Sequence, residues 1–205
     1  MRVRQFAGAI ALVAVTALVS QVVSQDQAAM DEQMKKWMEF ATPGKEHQEM
    51  AAKVGKWDLD ITMWMDPAAP PTKSTGTAEY TVAMDGRYVI EHVNSEMDMG
   101  GGMKMPFKGM AVAGYDNMTK KYVSSWIDNM GTGMMISEGT KTGKVLTLEG
   151  EHSDCMTGKA TTHRLVETTV DKDNFKFEMF GPGADGKDMK HMEILYKRNG
   201  AKNAG

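Results

Sequence analysis

The chain has 205 residues, 25% of them charged, with a formal net charge of −3, 21 methionines and a single cysteine. A mildly acidic chain without a basic cluster excludes nucleic acid as an expected partner. With Cys155 alone no internal disulfide can form, so stability must come from burial and hydrogen bonding.

The N-terminus, "MRVRQFAGAIALVAVTALVSQVVSQ", carries Arg2 and Arg4, then an apolar run, then Val22-x-Ser24 as a small-residue exit. That order predicts a signal peptide over 1–24, cleaved after Ser24, and an exported protein, periplasmic or secreted. No cysteine lies near the boundary to take a lipid, so no stable membrane anchor is expected after cleavage. Losing Arg2 and Arg4 takes the charge from −3 to −5.

Residues 25–41 form a lead-in whose Met30, Met34, Trp37, Met38 and Ala41 recur at helical spacing, predicting an amphipathic helix. "TPGKEHQEMAAKVG" predicts a second, with Thr42 as N-cap, Pro43 at the first helical position and Gly55 as the stop. Its stripe is His47, Met50, Ala51 and Val54.

From Lys56 the period changes to two. In "WDLDITMWM", Trp57, Leu59, Ile61, Met63 and Met65 alternate with Asp58, Asp60, Thr62 and Trp64, the pattern of a strand with one buried face. Similar runs follow near 74–84, 87–99, 103–115, 119–130, 132–140, 144–151, 159–170, 174–181 and 187–198. Turn chemistry separates them, as at Asp85-Gly86, Asp116-Asn117, Thr142-Gly143 and Asp185-Gly186. About ten strands with no helix between them exclude parallel crossovers. The fold class expected is therefore all-β: an antiparallel up-and-down barrel over 42–198, which closes to remove its edges. A short tail, 199–205, is expected to be disordered.

Gly55-x-Trp57, opening the first strand after a short helix, resembles the calycins, the superfamily of the lipocalins. The resemblance implies a basic residue of the last strand stacked over the tryptophan, here Lys197 or Arg198 of Tyr196-Lys197-Arg198. Longer blocks, among them "TPGKEHQEMAAKVGKW", "GTAEYTVAMDGRYV", "MPFKGMAVAGYDNMTKKYVSSWIDNMGTGMMISEGT" and "FEMFGPGADGKDMKHMEILYKR", resemble the domain of unknown function 1579 family across Thr42–Arg198. That likeness implies a calycin-like barrel and no particular reaction. His152-x-x-Cys155 departs from the more proline-like version of the family.

The chemistry on offer is sparse. In "SEMDMGGGMKMPFKGM" a turn at Gly100–Gly102 places Met97, Met99, Met103 and Met105 on one face of one hairpin. Thioethers select Cu(I), so copper is the alternative cofactor and apolar packing at the barrel rim the principal reading; otherwise no cofactor is expected. His152, Cys155 and Met156 form a second soft set. The histidines, 47, 92, 152, 163 and 191, show no zinc spacing, although a barrel-lining one of 92, 163 and 191 could ligate haem, as in haem-binding calycins. In "YVSSWID", Tyr122, Ser124, Trp126 and Asp128 share a face, and Asp128 or Glu193 paired with Arg164 is the economical arrangement for a lumenal carboxylate. Lumenal contacts are thus expected from Tyr80, His92, Phe107, Tyr122, Trp126, Asp128, Arg164 and Glu193, with Gly55, Trp57 and Arg198 structural. No nucleophile elbow, phosphate loop, dinucleotide fingerprint or His-Glu-x-x-His is present. The sequence supports a non-catalytic exported barrel that binds a small apolar or amphipathic molecule. Copper buffering by the methionine hairpin, or an enzyme using Asp128 or Glu193, is the alternative.

Overall fold

The structure, a computed structural model, describes residues 26–65, 69–98, 103–154, 157–183 and 185–200. The signal segment, Met99 with the triple glycine, Cys155 with Met156, and residues 201–205 lie outside the described residues. Two compact units divide at Thr42–Pro43.

The first unit holds helix α1 (residues 26–41), with an Lys36–Glu32 ion pair at 2.7 Å along its charged side. Its last turn is closed by Thr42, whose hydroxyl donates to the Met38 carbonyl at 2.6 Å. Thr42 is therefore not the N-cap of the next helix. That helix, α2 (Lys45–Ala51), starts from Gly44, whose backbone N–H donates to His47 Nδ1 at 3.0 Å. The third helical residue here reaches back as a capping-box side chain does.

Ten strands follow: β1 (Gly55–Met63), β2 (Thr72–Ala83), β3 (Tyr88–Asp98), β4 (Lys104–Asp116), β5 (Lys121–Asp128), β6 (Met135–Thr142), β7 (Val145–Ser153), β8 (Ala160–Thr169), β9 (Asn174–Pro182) and β10 (Asp188–Arg198). Each pairs antiparallel with its chain neighbours, and β1 pairs with β10 to close the barrel. Closure leaves no unpaired edge, which is why so many short strands joined by tight turns are stable as one sheet.

Alternation decides what faces inward. Trp57, Leu59 and Ile61 of β1, Ala78 and Tyr80 of β2, Val89, Glu91 and Val93 of β3, and Phe175, Ile194 and Tyr196 of β9 and β10 are buried. Helix α2 packs against β3 and β4 and closes the end of the barrel where β1 begins. His47 meets Tyr115 edge-on at 5.8 Å, and Glu49 pairs with Lys141 of β6 at 2.7 Å.

Of the two basic candidates for the tryptophan, Arg198 takes the position. Its guanidinium lies 4.2 Å from the Trp57 ring and donates to the carbonyls of Val54 (2.8 Å) and Ala52 (2.9 Å) at the end of α2. Gly55 stands at φ +124°, and a Cβ there would meet Arg198 Nη1 at 3.1 Å, so glycine is needed twice over.

Candidate functional site at the open end of the barrel

Every buried polar side-chain atom among the described residues has a hydrogen-bond partner, and two polar clusters divide the interior. The first belongs to the closed end. Glu91, 9% exposed, accepts from Tyr196 Oη at 2.9 Å and also bonds the Tyr80 hydroxyl. Lys53, just past α2, pairs with Glu167 at 2.5 Å and lies 5.1 Å from the Phe175 ring. Burial pushes the Glu91 carboxyl above its ordinary range, while the two tyrosines and Lys53 pull it back in part. Desolvation likewise holds the Tyr80 and Tyr196 phenols far above their usual value. This cluster is sealed under α2 and reads as the polar part of a packed end.

The second cluster lies toward the opposite end, where β2, β4, β6, β8 and β10 begin. Here Met63, Phe107, Trp126, Leu165 and Met192 pack against the core without being covered by it, as Tyr115 and Leu146 do at the α2 end, while Ser137 and His163 are buried. Trp126 and Phe107 stack with centroids 6.3 Å apart and planes 19° from parallel. The tryptophan ring covers Gly109, where a Cβ would lie 2.2 Å from Trp126 Cζ2, so no larger residue fits beneath it. Trp126 Nε1 donates to Asp128 Oδ2 at 2.8 Å, and Asp128 Oδ1 accepts from the Met130 N–H at 2.9 Å. Both Asp128 oxygens are thus engaged in holding the ring and the following turn. That arrangement anchors the ring and the turn.

On the wall formed by β6, β7 and β8, Ser137 Oγ and His163 Nε2 are 2.6 Å apart, and His163 Nδ1 lies 3.1 Å from His152 Nδ1. His163 is 2% exposed, and burial together with its neighbour His152 lowers its pKa below the usual histidine value, so the ring is neutral at pH 7. Both ring nitrogens are thus engaged, Nε2 with a hydroxyl and Nδ1 with the neighbouring imidazole, so a ligand or an ion would reach Nδ1 by displacing the bond to His152.

The expected site residues divide by strand parity. Tyr80, Phe107, Tyr122, Trp126 and Asp128 do lie on the inward face, Tyr80 and Tyr122 near the closed end and the other three toward the open one. His92, Arg164 and Glu193 do not. His92 is exposed between inward Glu91 and Val93. Arg164 lies between inward His163 and Leu165, pairs outside with Asp188 and covers the Phe180 ring at 4.2 Å. Glu193 sits between inward Met192 and Ile194 and joins Lys190 at 2.6 Å on the outer surface. The proposed pairing of Asp128 or Glu193 with Arg164 therefore does not form. Of the methionine hairpin, Met97 and Met105 are paired across the ladder on the inward face, and Met103 is 63% exposed.

Ser137, Glu91 and Lys53 had no motif to mark them. Glu91 was accessible from parity alone, since Val89-x-Glu91-x-Val93 shares one face. His152 and His163 were visible singly, and their meeting depends on the β7–β8 register, Gly150 opposite His163.

A closed antiparallel barrel with a short helix over one end and an arginine over the first-strand tryptophan defines a calycin-like protein. Within that class the chain belongs to the family described as "Protein of unknown function (DUF1579)", which matches residues 42–198. Among solved structures it resembles Rv2717c from M. tuberculosis, at 11% identity over 77% of this chain and 99% of that one, with a TM-score of 0.52. A redesigned β-barrel matches at 13% identity over 73% of this chain and 94% of its own, with a TM-score of 0.36. No curated protein matches the chain.

Proposed function

We propose that this protein is an exported, non-catalytic barrel that binds a small apolar or amphipathic molecule through its open end. The observation that carries the reading is the group of half-covered apolar side chains on the inward face of that end. Trp57 and Leu59 under α2 are 2% exposed, whereas Met63, Phe107, Trp126 and Met192 toward the other end are left half-covered. Apolar surface kept partly open in a barrel mouth is what a ligand covers, and each such side chain fully covered contributes on the order of 1 kcal/mol. Methionines at the mouth suit varied ligand shapes because their side chains repack readily. His163, Ser137 and His152 supply a polar spot on one wall for the head group of an amphipathic molecule.

Native mass spectrometry of the mature chain purified from its host is expected to find a co-purifying small molecule. Trp126→Ala, which removes the stacked wall at the mouth, is expected to lower its occupancy by about tenfold, the effect of losing one aromatic contact of 1–2 kcal/mol. Consistently empty protein, with the same thermal stability before and after organic extraction, would refute the reading. Fractionation of host cells tests the export step, with the chain beginning at Gln25 expected outside the cytoplasm.

A further inference from the structure

The inward methionines are not evenly spread. Met63, Met97, Met105, Met135, Met179 and Met192 all lie toward the open end of their strands. The closed end is filled mainly by Trp57, Leu59, Tyr80, Phe175 and Tyr196, with Met50 of α2 among them. Core filling by itself does not call for that division, since aromatic and aliphatic residues pack either end equally well. Thioethers differ from them chemically in being soft donors.

Among these sulfurs stands the imidazole pair. Nδ1 of His152 and Nδ1 of His163 are hydrogen-bonded at 3.1 Å, and an ion between them would displace the shared proton as the rings turn to aim at it. Two nitrogens each about 2.05 Å from one ion reach that separation at an angle of roughly 100°, a normal cis arrangement. His163 is oriented from behind, because its other nitrogen bonds Ser137 Oγ at 2.6 Å. Metal-binding histidines are ordinarily held this way, with the distal N–H given to a fixed acceptor. A third donor follows from register. Ser137 pairs with Gly150, so Met135, one pleat further along β6, falls beside His152 on the same inward face.

We propose that His152, His163 and the Met135 thioether form a Cu(I) site, with the other inward methionines leading to it from the mouth. The choice of ion follows from the donors. Among the described residues no group of three or more His, Cys, Asp or Glu side chains converges, so four-coordinate zinc and oxygen-seeking cations lack ligands. Two imidazoles with one thioether suit monovalent copper. The site uses the His152, His163 and Ser137 that the proposed function gives to an amphipathic head group, but it needs no organic ligand, so copper titration of the extracted chain tests it separately from the binding of an apolar molecule. The hairpin methionines become an approach rather than the site.

The test is anaerobic titration of the extracted mature chain with Cu(I) against bicinchoninate, read by the chromophore's absorbance. One Cu(I) per chain is expected, with His152→Gln lowering affinity about 30-fold and Met135→Leu about tenfold, in the range that loss of ligands or their supports produces. The fourfold change of Met97, Met99, Met103 and Met105 to Leu is expected to leave affinity within about threefold and to slow uptake. X-ray absorption should show both nitrogen and sulfur around the ion. His152 is half-buried at the mouth, and an unchanged melting temperature confirms that its variant folds. No copper bound, unchanged binding in His152→Gln, or binding lost only in the fourfold variant overturns the assignment. A sulfur-free coordination shell does so as well. In the first case the Ser137–His163–His152 chain is a hydrogen-bonded element of the wall and nothing more.

Discussion

Glu91 shows how a single buried carboxyl sets a pH dependence. It sits on the inward face of β3, and loss of solvent is the largest influence on it, ahead of the opposing hydrogen bonds from Tyr80 and Tyr196 and the charge of Lys53. Its folded pKa is raised, so the folded chain holds a proton that the unfolded chain has already released. The resulting stability is fully present below the ordinary glutamate pKa and is lost as pH rises through the folded value. Each unit of difference corresponds to about 1.4 kcal/mol. Glu91→Gln keeps an oxygen for Tyr196 but cannot ionise. Its stability relative to the parent should therefore grow as pH is raised from about 4 to 8. Urea unfolding across that range measures it. A difference that stays flat with pH would mean that Lys53 and the phenols fully compensate the charge.

At the level of elements, α2 decides which end of the barrel is closed, and its first turn depends on His47. The ring accepts the Gly44 N–H, is 5% exposed and meets Tyr115 edge-on. His47→Ala removes both the cap and the packing, and is expected to cost about 2–3 kcal/mol. Glutamine is a common residue at this position of a capping box, so His47→Gln should recover about 1 kcal/mol of that loss. The midpoint of urea unfolding at constant slope reads both values, and equal losses in the two variants would show that the cap contributes nothing.

The same scale explains what the sequence made legible. The ten strands were readable because turn residues bound each run and many interior faces carry apolar residues at period two, as in Trp57-x-Leu59-x-Ile61. The start of α2 was misplaced because Thr42 and Pro43 look like a helix start, whereas Thr42 is occupied in closing α1. The polar lining was harder still. In β8, Thr161, His163, Leu165 and Glu167 face inward and Thr162, Arg164, Val166 and Thr168 outward, so neither face is marked by composition. In β10 a bulge between Lys190 and Met192 changes the parity partway along the strand. Placing Arg164 and Glu193 required the ladder itself.

For the whole molecule, the decisive contact is the seam between first and last strands, residues far apart in sequence whose pairing carries the largest loop-closure entropy. Trp57 pairs with Arg198 across that seam. Arg198 then gathers the rest of the closed end: it covers Trp57, holds two carbonyls at the end of α2, and bonds Asp173 at 3.2 Å in the turn between β8 and β9. Cation–π contact at a half-desolvated site contributes about 1 kcal/mol, and each charge-assisted bond to a carbonyl roughly another 1. Arg198→Ala should therefore cost about 3–4 kcal/mol in a single cooperative transition, since one residue serves three segments at once. Arg198→Lys keeps the charge but lacks the planar fork that reaches Val54 and Ala52 together, so it should recover less than half of that loss. The losses should fall mainly on the unfolding rate if the seam closes after the transition state, which stopped-flow kinetics on both variants would measure. A loss below about 1 kcal/mol in Arg198→Ala would mean that strand pairing alone closes the barrel and that the arginine merely covers its end.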